Sequence, residues 1–171
     1  DDDFRRRANA LAAWRGHGTR AIAEHAADRG ALAAIQQSAD AWRRRARTLR
    51  ERSETPGPTT IGDILIHAFP DRIARQDSNH PRRYQLANGR GARLTEESSL
   101  FGEPWLVVID LRYDERDSLI LAAAPFAEAV LERDFASMFS NARALRWNRE
   151  TRAIEAFEEH RFASVLMERR K

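Results

Sequence analysis

The sequence predicts an α+β chain in which a helical N-terminal segment is followed by a β-rich domain. Three observations carry this. Apolar residues recur at helical spacing up to about residue 50, and a Pro- and Gly-containing run follows at 53–58. Beyond it, short apolar or alternating runs are separated by tight-turn signals, the pattern of strands.

Phe4, Ala8, Leu11 and Trp14 place a helix over residues 2–15, with Asp1, Asp2 and Asp3 at the N-terminus that the helix dipole makes favourable for carboxylates. Gly16-His17-Gly18 ends it. An Ala-rich second helix spans 21–28, and Gly30 stops it. In the third helix, Ile35, Ala39, Trp42, Ala46 and Leu49 form one stripe that predicts a core-facing surface, with most arginines of 43–52 on the wet face. Ser53-Glu54-Thr55-Pro56-Gly57-Pro58 reads as a linker, since two Pro and a Gly cannot continue a helix. Thr60-Ile61-Gly62-Asp63 has the form of a capping box opening a short helix that Pro70 closes.

Strands are predicted at 72–76, 83–87 and 92–95, the last two joined at Asn88-Gly89. The nearly unbroken apolar run 105–111 predicts a strand buried on both faces, pairing with 118–124 across an acidic turn. Residues 126–139 return to helical spacing. Strands at 144–147 and 153–157 flank a polar turn, and a last strand lies near 162–167. Trp14, Trp42, Trp105 and Trp147 all fall on apolar stripes or runs and read as core anchors.

The 171 residues are 42% hydrophobic and 32% charged, the range of soluble globular proteins able to bury a core. No apolar run approaches the roughly 20 residues of a membrane-spanning helix, and no apolar stretch near the start predicts a signal peptide. The absence of Cys rules out disulfides and thiolate zinc sites and suits a cytoplasmic setting. The chain does not begin with Met, which predicts a segment of a longer polypeptide.

Of 29 basic residues only Lys171 is lysine. A P-loop needs a Lys that reaches phosphates from a Gly-rich turn at a helix start, so these residues cannot form one. His17, His25, His67, His80 and His160 lack metal-ligand spacing and read as polar surface residues. No G-x-S-x-G elbow occurs. Glu158-Glu159-His160 reads as a solvated strand edge, because neighbours on a strand face opposite ways. No catalytic residue, metal site or bound cofactor is expected within the chain.

The positive charge is segregated. Residues 41–52 carry a net +5 and residues 71–95 a net +4, leaving the remainder acidic. Arg43, Arg44 and Arg47 suit either phosphate contacts or a solvated helix face. The hairpin bearing Arg82, Arg83, Arg90 and Arg93 is the better candidate, because glycines in Asn88-Gly89-Arg90-Gly91 let another backbone come close. Tyr84 either stacks on a base or points into the core, and its alternation with Leu86 favours the core.

Three blocks resemble a known family: Ala68-Phe69-Pro70-Asp71-Arg72-Ile73-Ala74-Arg75, Tyr84-Gln85-Leu86-Ala87-Asn88-Gly89-Arg90-Gly91-Ala92-Arg93-Leu94, and Trp105-Leu106-Val107-Val108. In order and spacing they are similar to the C-terminal region of bacterial HrpB-type ATP-dependent helicases of the DEAH/RHA class. Residues 2–42 match more loosely. Beyond Phe126 the likeness rests mainly on Arg146-Trp147-Asn148 and the Arg/Glu-rich strands after it. The family pattern often has Tyr where this chain has Phe69, a departure that bears on packing.

The resemblance implies a partial helix bundle at 1–55, an OB-fold-like domain at 56–124, and a helix plus β-hairpin extension at 125–171 packed on the barrel. It implies upstream RecA-like motor domains of the same polypeptide, which would bind ATP and Mg. It also implies an accessory role on single-stranded RNA or DNA, with Arg72, Arg75, Arg82, Arg83, Arg90 and Arg93 as candidate contacts. The alternative is a protein-interaction or regulatory module without nucleic-acid contact, for which the acidic remainder and the apolar 126–139 segment would serve.

Overall fold

The computed structural model describes residues 2–25, 27–47 and 59–171. The linker expected at 53–58, the boundary at 55/56, and Leu49, Arg50 and Arg52 lie outside the described residues.

Three helices open the chain: α1 (Phe4–His17), α2 (Arg20–His25) and α3 (Arg29–Ala46). The carboxylate of Asp3 caps α1 by accepting from the Arg5 N–H at 2.9 Å, and Asp28 caps α3 through the Ala31 N–H at 2.6 Å. Gly16 stays within α1. Gly18, at φ 58°, ends it and donates its N–H to the Trp14 carbonyl. The residues before α1 are tied to the β domain, because the Ala123 N–H donates to the Asp2 carbonyl at 2.9 Å.

The third helix turns differently from its predicted face. Leu32 is its buried residue, whereas Ile35 and Trp42 are exposed. Gln36 turns toward α1 to accept from Arg15, and bridges to Asp40. Packing on a single helix needs only the Leu32 edge, so the stripe through Trp42 has no described cover.

The short helix α4 (Ile61–Leu65) carries the expected capping box. Asp63 N–H donates to the Thr60 hydroxyl at 3.2 Å, and the Asp63 carboxylate accepts from the Thr60 N–H at 2.8 Å. That carboxylate also accepts from the Ala127 N–H at 3.2 Å, and Gly62 lies against the Pro125 backbone where a side chain would collide. Helix α4 is thereby locked to the end of the sheet.

Five strands close into an OB-like barrel: β1 (Ile73–Gln76), β2 (Arg83–Leu86), β3 (Gly91–Arg93), β4 (Trp105–Arg112) and β5 (Asp117–Pro125), in the order β1-β2-β3-β5-β4. All neighbours are antiparallel except β3 with β5. The apolar run in β4 is buried on both faces, as its pattern requires. Leu106 and Val108 fill the barrel with Tyr84, Leu86 and Ile120, while Trp105 and Val107 join a second core outside it. The Tyr84 hydroxyl donates to the Glu103 carbonyl at 2.7 Å, and burial, aided by the Glu103 charge, pushes its pKa up to about 12.

The segment at 126–139 is not one helix. It forms α5 (Ala129–Asp134) and a 3-10 turn (Ala136–Met138), and Phe139 already begins β6. Its apolar spacing reflects burial of Phe126, Val130 and Leu131 in the outer core. The chain ends in an antiparallel meander: β6 (Phe139–Asn148), β7 (Ala153–Phe162) and β8 (Val165–Arg170). Its root, Phe139, Phe162 and Val165, packs into that outer core, and its far end carries Trp147 out to solvent. Trp42 and Trp147 are therefore not core anchors, whereas Trp105 is. Glu159 is also not on a solvated edge. It lies on the central strand, buried beneath Arg161 and Arg169 at 2.7 Å each, and those hydrogen bonds hold its carboxyl below the usual range.

Candidate nucleic-acid interface

Strand alternation puts Tyr84 and Leu86 inside the barrel, and Arg83 and Gln85 outside. On the adjoining strand Ala92 is buried and Arg93 exposed. The register sets Arg83 directly opposite Arg93, two guanidiniums side by side on one outer face, an arrangement that repels without an anion. Asp117 on β5 relieves part of it by gripping Arg83, 2.8 Å to Nε and 2.9 Å to Nη2. The carboxylate can cross β3 only because Gly91 has no side chain in its way. Arg93 has no described hydrogen bond or ion pair.

At either end of this face an arginine lies over an exposed aromatic ring. Arg82 sits 4.7 Å from the Phe101 ring centre while donating to the Thr95 carbonyl at 2.7 Å. Arg90, in the β2–β3 turn, sits 5.3 Å from that of Tyr113 in the β4–β5 turn. Phe101 and Tyr113 are both largely exposed, so each offers a flat apolar surface beside a cation.

The other predicted arginines are held internally. Arg75 donates to the Leu166 and Met167 carbonyls at 2.5 and 2.8 Å and lies over Trp105, fastening β8 to the barrel. Arg72 donates to the Ile109 carbonyl at 2.8 Å and stacks on Phe69. The close approach expected at Gly89 is taken by the chain's own β7–β8 turn, where the Ser164 N–H donates to the Ala87 carbonyl at 3.2 Å. On α3, Arg43 pairs with Asp40 at 2.9 Å, and Arg44 and Arg47 are exposed, apart from the barrel set in sequence and element.

No protein-family model matches the chain. The ATP-dependent RNA helicase HrpB of Escherichia coli (strain K12) is 37% identical to it over 78 residues, 43% of this chain and 10% of that protein. A solved structure of the E. coli DExH-box NTPase HrpB shares the fold with a TM-score of 0.59 at 22% identity, over 99% of this chain and 21% of that one. The resemblance to the C-terminal region of HrpB-type helicases is borne out. A second solved structure, of the Escherichia coli DEAH/RHA helicase HrpB, agrees at a TM-score of 0.58 and 21% identity, with the same coverage. The chain thus spans about a fifth of the solved HrpB chains.

Within this HrpB-like fold, three groups escaped the sequence reading. Phe101 and Tyr113 lie in the loops before β4 and after it, outside any repeating apolar pattern, and so carry no periodic signal. Trp147 was hidden by an alternating run that resembles a core strand. Among the described residues no helix is long and apolar enough to cross a membrane.

Proposed function

We propose that this chain is the accessory C-terminal region of an ATP-dependent helicase, and that the outer face of β2–β3 holds single-stranded RNA or DNA for the motor domains of the same polypeptide. The observation that carries this is the Arg83–Arg93 pair, set opposite one another and flanked by the Arg82–Phe101 and Arg90–Tyr113 stacks. Guanidiniums meet phosphates and aromatic faces meet bases without regard to sequence, as a translocating strand requires. ATP and Mg belong to the motor in this reading, since a chain whose single Lys is residue 171 cannot build a phosphate loop. A cytoplasmic location fits a chain without Cys.

The alternative, an interaction module with no nucleic-acid role, draws on the acidic remainder of the chain and on the apolar 126–139 segment. Phe126, Val130 and Leu131 are buried there, so that surface is not offered. Titration of a labelled single strand, read by fluorescence anisotropy over a salt series, tests the proposal. The four arginines of this face by themselves predict a log–log slope of about −3. A flat salt response, or no binding at low salt, overturns it.

A further inference from the structure

Three exposed apolar side chains lie together at the far end of the meander. β8 ends opposite Glu158, so β6 and β7 continue beyond it as a two-stranded ribbon. Trp147 pairs with Ile154 and Leu145 with Ala156, which sets Leu145, Trp147 and Ile154 on one face, 72, 60 and 67% exposed. Nothing in the core of the chain gains from an indole there.

The turn that closes this ribbon is ordered. The Asn148 side chain accepts from the Glu150 N–H at 2.9 Å and the Thr151 N–H at 3.2 Å, and Arg152 takes a left-handed conformation at φ 51°. Arg149 and Arg152 are thereby held at the tip, and Arg143 lies on the same face as Trp147, two residues before Leu145 and across from Glu158. None of these three arginines has a hydrogen-bond or ion-pair partner among the described residues. Arg146 reaches only Glu159, at 3.9 Å.

We infer that the ribbon tip is a second single-strand contact, in which Trp147 stacks on a base and Arg143, Arg149 and Arg152 bind the neighbouring phosphates. The inference rests on the nucleic-acid reading above and extends it beyond the barrel. Guanidiniums without an internal acceptor give up no ion pair when they meet a phosphate. The size of the patch favours this ligand over a protein. A stable protein interface buries about 800 Å² per partner, more than three apolar side chains on a narrow ribbon offer, whereas a base and its phosphates match that footprint.

The test titrates a fluorescein-labelled oligouridylate into the chain at low salt, following anisotropy and tryptophan emission. Three variants are compared with wild type: Trp147→Ala, Arg149→Ala with Arg152→Ala, and the barrel pair Arg90→Ala with Arg93→Ala. Expected are a roughly tenfold weaker affinity for Trp147→Ala with loss of the emission quench, and a salt slope lower by about one unit for the ribbon arginines. Unchanged binding by both ribbon variants while the barrel variant weakens overturns this inference and leaves the barrel reading standing. No binding by wild type overturns both. A Trp147 emission shift that follows protein concentration without any strand also overturns it, by assigning the patch to self-association.

Discussion

The barrel and the β6–β7 ribbon are both rich in arginine, yet they hold it differently. In the barrel, Arg72 and Arg75 close onto backbone carbonyls and Arg83 onto Asp117, which leaves Arg93 and the two aromatic stacks facing outward. At the ribbon tip, Arg149 and Arg152 meet no acceptor among the described residues, and the Trp147 indole is exposed on one face of the ribbon. The difference shows that a local excess of positive charge says little about which guanidiniums remain available. Availability is decided by tertiary acceptors that lie far away in sequence, such as the Leu166 carbonyl for Arg75.

The same residue type sharpens the contrast most. Trp105→Ala should cost about 3–5 kcal/mol in urea unfolding, because it empties the core shared by barrel and meander. Trp147→Ala should change stability by less than about 0.5 kcal/mol in the same assay, as expected of an exposed site. Equal costs would break the distinction. Arg75→Ala should destabilise by roughly 1–3 kcal/mol, since two carbonyls lose their donor where β8 meets the barrel. Arg149→Ala should again be near neutral.

The buried end of the meander has its own pH signature. Glu159 titrates below its unfolded value of about 4.3. It therefore contributes stability above that pH, and the contribution is lost as pH falls through the lower folded value. Thermal melts of Glu159→Gln across pH 7 to 3 should show a lower midpoint than wild type near neutrality and a gap that closes under acid. A gap that widens in acid contradicts the Arg161–Glu159–Arg169 clamp. The smallest effect is expected at Asp117→Asn, which loosens the hold on Arg83. Single-strand affinity at low salt should rise about twofold, within the range of an exposed ion pair.

Much of the fold was readable because local chemistry and tertiary packing agree. The Thr60–Asp63 capping box, the Asn88-Gly89 turn and the β4 run stand where their patterns place them. The reading failed where one pattern serves two structures. Apolar spacing at 126–139 is produced by a short helix, a 3-10 turn and the first residue of a strand, all pressed against one core. The stripe on α3 and the alternating run through Trp147 look like core surfaces because periodicity reports amphipathicity, not what covers the apolar side. For the site, the Arg82–Arg93 hairpin was visible as charge, but its aromatic partners were not. Phe101 and Tyr113 are brought to their arginines only by closure of the barrel.

Ultraviolet cross-linking of a single strand to the chain, followed by peptide mapping, tests the availability argument most directly. The account predicts adducts on Phe101 and Tyr113 at the barrel and on Trp147 at the ribbon, with Tyr84 unlabelled. Adducts confined to α3, or spread over all exposed surfaces alike, would contradict it.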